Sequence, residues 1–140
     1  MNRPASRVTG LSERQCELAR RQGEIAVRAL VALFPILTPV MRESETDHGQ
    51  VLPHLVMSDI IQWMASRVHT EPNVCRGVLN WMDTQLREGP EEVQELVVVS
   101  GVEMLPNPGE TGHELHHMLP PTLALYDSWN HHNGETRSGS

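Results

Sequence analysis

The chain has 140 residues, enough for one core and too few for two independently stable domains. Eighteen acids against eleven bases, all of them Arg, leave a net charge of -7, which disfavours phosphate backbones and anionic lipid and so points away from nucleic acid and membrane surfaces. Hydrophobic residues at 39% support a core, and aromatics at 4% mean that Leu, Val, Ile and Met must build it.

In chain order, residues 1–10 read as a flexible arm. A first helix is expected from Ser12, whose hydroxyl with Gln15 makes a capping box, and Leu18, Ile25, Ala29 and Leu33 form its apolar face up to Pro35. Pro35 to Gln50 reads as a short apolar turn followed by a mobile acidic loop carrying Glu43, Glu45 and Asp47. The apolar run from Ala29 to Met41 is too short to span a bilayer and is interrupted by Pro35 and Pro39, so it reads as core. With no secretory leader and no CxxC spacing, Cys16 and Cys75 are expected as two buried free thiols in a reducing compartment, the cytoplasm.

Pro53 opens a second helix reaching about His69, with Leu55, Val56, Ile60, Trp63, Met64 and Val68 on one face. Thr70 and Pro72 start a third, whose Val74, Cys75, Val78, Leu79, Met82 and Leu86 keep a helical period to Gly89, expected in the left-handed cap position. Pro90 starts a fourth, with Glu91 and Glu92 at the positive end of its dipole and Val93, Leu96, Val97, Ser100 and Met104 along one side. The run Val97 to Val99 suits a strand in isolation, but no alternating segment exists to pair with it. Thr111 and Glu114 form a second capping-box spacing for a short helix through Leu119, and Pro121 opens a last one with Leu123, Tyr126 and Trp129. Residues 131–140 read as a disordered polar tail. The fold class is therefore all-α: a single domain over residues 11–130, a bundle of five or six antiparallel helices whose successive pairs would also suit a short solenoid.

The string His113-Glu114-Leu115-His116-His117 matches H-E-x-x-H, in which two histidines one helical turn apart hold zinc while the Glu activates water. Pro120-Pro121 ends any helix within a turn of His117, and the nearby later acids are only Asp127 and Glu135, so neither metal, cofactor nor catalysis is expected from it. His131-His132 lies in the tail, where nothing fixes a metal geometry. No phosphate loop or serine elbow is present, and neither Cys has a His placed beside it, so no nucleophile is supported.

Asp59 falls on the apolar face of the second helix and Glu103 beside Val99 and Val102. A buried carboxylate is costly unless paired, so both are expected in a buried polar network with His54 or an Arg such as Arg28 or Arg67. Glu91, Glu92 and Glu95, at intervals of three and four, line one side of the fourth helix opposite its apolar face, with Glu88 just before them. This acidic ridge, extended by Glu43, Glu45 and Asp47, is the expected docking strip for a basic protein.

Across Leu52-Pro53-His54-Leu55, Asp59, Trp63, the run Glu92-Val93-Gln94-Glu95-Leu96-Val97-Val98-Val99-Ser100, and Val102-Glu103, the chain resembles an uncharacterised family of small all-helical bacterial proteins, some encoded near secreted polymorphic toxins. The likeness spans residues 50–125; Gly101 departs from it, standing where an aromatic is common. It implies an all-helical fold and an immunity role; with the net charge of -7, the expected function is to neutralise a cognate toxin domain, whose basic cleft the acids would occupy or hold shut. A helical adaptor without a toxin partner, and a zinc-dependent hydrolase on His113, Glu114 and His117, are the competing expectations.

Overall fold

The computed structural model describes the backbone of residues 2–139 and the side-chain surroundings of residues 13–130. It is helical throughout, with no strand among the described residues. The helices are α1 (Asn2–Leu33), α2 (Thr38–His48), α3 (Pro53–Arg67), α4 (Pro72–Glu88), α5 (Glu91–Ser100) and α6 (Pro121–Gly139), with 3-10 turns at Pro35–Leu37, Val102–Met104 and His113–Met118. The side chains of the arm over 1–10 and of the tail over 131–140, His131, His132 and Glu135 included, lie outside the described residues.

Proline marks most of the starts. Pro53, Pro72 and Pro121 each stand at the first position of their helices, where the amide they lack would have no intrahelical partner. Pro39 does the same one residue into α2, so the segment read as an acidic loop is a helix, closed by Gly49 at φ 74, whose N–H donates to the Glu45 carbonyl. The chain bends by 118° between α1 and the segment Pro35–His48. Among the described residues no single helix is long and apolar enough to cross a membrane.

α3 lies at the centre, packed against α1, α2, α4 and α5. Its Val56, Met57, Ile60, Ile61 and Met64 are buried, as are Val78, Leu79, Met82 and Leu86 of α4 and Val93, Leu96 and Val97 of α5. Each such side chain, fully buried, contributes about 1.5–3 kcal/mol. α1 enters this core with Ala26, Val27, Leu30 and Val31. Its expected apolar face is turned outward instead: Leu18, Ile25 and Leu33 are at least half exposed. Two interleaved apolar stripes satisfy the helical period on α1, and the partners α3 and α5 select the one that also carries Gly23. A Cβ there would come 2.8 Å from Pro53 Cβ, so the missing side chain lets α1 sit against the start of α3.

Several local expectations are corrected. Ser12 lies inside α1 and does not start it. Gly89 is extended (φ -78, ψ 165), its N–H returning to the Gln85 carbonyl, so α4 ends without a left-handed cap. α5 stops at Ser100, before Met104. Thr111 and Glu114 form no capping box: Gly112 (φ 86) precedes the His113–Met118 turn, and no side chain caps it. Cys75 is buried, but Cys16 is exposed.

Candidate functional site

The acidic residues of α5 face α1. Glu91, Glu92 and Glu95 line a groove of about 490 Å³ with Gln15, Cys16, Leu18 and Ala19. It continues into a second depression of about 390 Å³, where Glu92 and Glu95 meet Ala19, Gly23, Leu52, Pro53, Leu55 and Leu96, with Arg20 and His54 also present. The result is a strip with an apolar floor and an acidic rim. The floor exists because α1 presents Ala19 and Gly23 where larger side chains would fill it. The rim exists because α5 buries Val93 and Val97 on its far side, while Leu96, between the acids and the core, adjoins the floor. Leu18 and Leu55 remain 50% and 41% exposed there, so apolar surface is available beside the charge.

His54 sits at one end of the strip and hydrogen-bonds the buried Ser100 hydroxyl through Nδ1, tying the start of α3 to the end of α5. At the same corner Arg20 donates to the Gln50 side chain at 3.0 Å.

The expected ridge is thus divided. Glu88 is absent from the groove lining and accepts from Arg87 at 3.1 Å. Glu43 and Asp47 lie elsewhere, in a cleft between α2 and α3, and Glu45 lines neither depression. Asp59 shares that cleft, and burial pushes its carboxyl above the usual range, His48 opposing the shift and Asp47 adding to it. His54, Asp59 and Glu103 do not form one network. Asp59 is half-buried on the α2 side, His54 bonds Ser100, and Glu103 is exposed on the Val102–Met104 turn, with no ion pair among the described residues. Arg28 pairs with Glu24 at 2.9 Å, and Arg67 stands over Trp63, so neither neutralises these acids.

The buried polar groups are Ser44, Asp83, Ser100 and Asp127; the sequence placed Ser100 on the apolar side of its helix and named Asp127 only as a later acid, and it did not single out Ser44 or Asp83. Asp83 occupies the apolar side of α4 with Leu79, Met82 and Leu86. That spacing was the available signal. One of its oxygens accepts the Leu123 N–H at 2.8 Å, and the other accepts from Arg87 at 3.0 Å. Asp127 meets His116 Nδ1 at 3.0 Å, while His116 Nε2 donates to the Pro106 carbonyl at 2.7 Å.

The H-E-x-x-H string lies in a 3-10 turn, so His113 and His117 are about a third of a turn out of line where an α-helix would stack them. Their rings meet edge to face, centroids 5.8 Å apart. Glu114 turns away to His69 at 2.9 Å, and its carboxyl is held below the usual range by a backbone hydrogen bond and then by His69. Among the described residues no three His, Cys, Asp or Glu side chains are grouped to hold a metal ion.

The fold and the strip define a small all-helical protein with an acid-rimmed apolar groove. No protein-family model, curated protein or solved structure matches this chain.

Proposed function

We propose that this protein is a non-enzymatic protein-binding inhibitor: an immunity protein of antiparallel helices that captures and neutralises a cognate toxin domain in the cytoplasm. The observation that carries this reading is the groove between α1 and α5, where Glu91, Glu92 and Glu95 border a floor that includes Leu18 and Ala19. A charged rim around exposed apolar surface suits a basic protein segment with an apolar face. The rim steers approach and sets the register, and the floor supplies burial. A net charge of -7 acts in the same direction at longer range, because a toxin that binds nucleic acid or nucleotides commonly has a basic cleft. The earlier resemblance over residues 50–125 supports the same class.

The test is to express the product of the gene adjacent to this one and assay its activity at increasing ratios of this protein. Stoichiometric capture with loss of activity is expected. The double variant Glu92→Arg with Glu95→Arg should keep the fold and lower the association rate about tenfold or more at low salt. Capture that survives the double variant at an unchanged rate would remove the groove from the account. Absence of any effect on the neighbouring product would overturn the immunity reading itself.

A further inference from the structure

The cleft between α2 and α3 carries chemistry that the groove does not use. α2 lines it with Val40, Glu43, Ser44 and Asp47, and α3 with Asp59, Gln62, Trp63 and Ser66. Both sets follow the i, i+3, i+4, i+7 pattern by which a helix presents one stripe to a neighbour. Such facing stripes are ordinarily apolar. Here they hold three carboxylates, two hydroxyls and an amide around about 410 Å³. None of the three carboxylates forms an ion pair among the described residues.

Two further observations point to what the cleft takes. Ser44 is 3% exposed, lines the cleft, and its Oγ has no hydrogen-bond partner among the described residues. An unsatisfied buried hydroxyl is unfavourable and is relieved by a donor or acceptor beside it. Trp63 supplies an aromatic wall, and the guanidinium of Arg67 already stands 5.8 Å from its ring centroid. Three separated carboxylates beside a hydroxyl, an amide and an indole suit a cation that carries several donors, and among the described residues they form no group suited to a metal ion.

We propose that the α2–α3 cleft binds a guanidinium group, with Glu43, Asp47 and Asp59 as its acceptors, Ser44 completing the hydrogen bonding and Trp63 flanking the planar cation. Guanidinium fits better than ammonium because its flat fork of donors matches separated carboxylates and its face stacks on an indole. This site is independent of the α1–α5 groove. It assigns Glu43 and Asp47 to a ligand cleft, where the sequence placed them in a docking strip.

The test uses the intact protein and no biological partner. Capped arginine (N-acetyl-arginine amide) is titrated calorimetrically against its neutral isostere, capped citrulline, with agmatine as a third probe. Saturable binding of capped arginine is expected, with capped citrulline weaker by about tenfold or more. Asp47→Asn and Asp59→Asn should each weaken capped arginine by about tenfold, and binding should fall with added salt. Ser44→Ala should weaken binding by about threefold yet raise the Tm of the free protein, a pair of opposite shifts that a merely structural serine would not give. Agmatine binding as tightly as capped arginine would assign the cleft to a free guanidino compound, and tighter capped arginine would assign it to an arginine within a chain. Equal binding of arginine and citrulline probes, unchanged affinity in both Asn variants, or no saturation up to about 50 mM would overturn the proposal.

Discussion

Asp83 on α4 accepts the backbone N–H of Leu123 at 2.8 Å, so a side chain forty residues earlier caps the first turn of α6. The amides of a helix start need partners, and Pro120 in the cap position leaves α6 without a Ser, Thr or Asn of its own there. Arg87 holds the second oxygen of the same carboxylate, which is how a charge only 6% exposed is tolerated. Asp83→Ala is expected to lower stability by about 1–3 kcal/mol, and Asp83→Asn by less because its carbonyl still accepts. Urea denaturation measures both; an unchanged midpoint for the Ala variant would show that this contact contributes nothing.

The elevated Asp59 pKa has a defined sign. The folded state holds its proton more tightly than the unfolded chain, whose carboxyl has the ordinary value of 3.8. The associated stability is fully present below that value and is lost as pH rises through the folded pKa. At neutral pH the whole cost remains. Asp59→Asn should therefore raise the Tm at pH 7 and leave it unchanged below the ordinary value, with a small gain because the carboxyl is only partly buried. A lower Tm at pH 7 would mean that the carboxylate has a stabilising partner.

The two thiols should separate cleanly. Cys16 is exposed, whereas Cys75 is buried, donates to the Met64 carbonyl at 3.7 Å, and is pushed up to about 11, chiefly by burial. A disulfide reagent at pH 8 should label one equivalent at once and the second only when the protein opens, with rates differing by about a hundredfold or more. Two equal rates would contradict the packing of α4 on α3. Since Cys16 lines the α1–α5 groove, the proposed function predicts that a bulky label there blocks capture of the toxin domain while leaving the Tm near that of the unlabelled protein.

Gly112 combines a left-handed backbone, φ 86, with a Cβ position only 2.4 Å from Ala65 Cα. Alanine there meets both strain and backbone collision, so Gly112→Ala should cost about 1–3 kcal/mol in chemical denaturation. No loss would mean that the His113–Met118 turn relocates freely on α3.

The starts of α3, α4 and α6 were legible because Pro53, Pro72 and Pro121 act locally, through an amide that is missing where none is needed. α2 was not, because acids and two prolines read as a loop until Pro39 is placed in a first turn. The outward position of Leu18, Ile25 and Leu33 was equally hidden: period alone cannot choose between two apolar stripes when the choice belongs to α3 and α5. The acids of α5 were found correctly as one side of a helix, but their groove needed Ala19 and Gly23 from a distant segment. Asp83 and Ser44 were missed because a short polar residue on a helix face acquires its meaning only from what packs against it.

The acids of α5 and its core residues alternate around the same ten-residue helix, Glu91, Glu92 and Glu95 outward and Val93, Leu96 and Val97 inward. Substitution on the outer side changes charge without opening a cavity, and the inner side constrains only shape and volume. Substitution can therefore rewrite this charged surface residue by residue while folding stays constant. A lineage of such chains can diverge in surface charge long before it diverges in architecture.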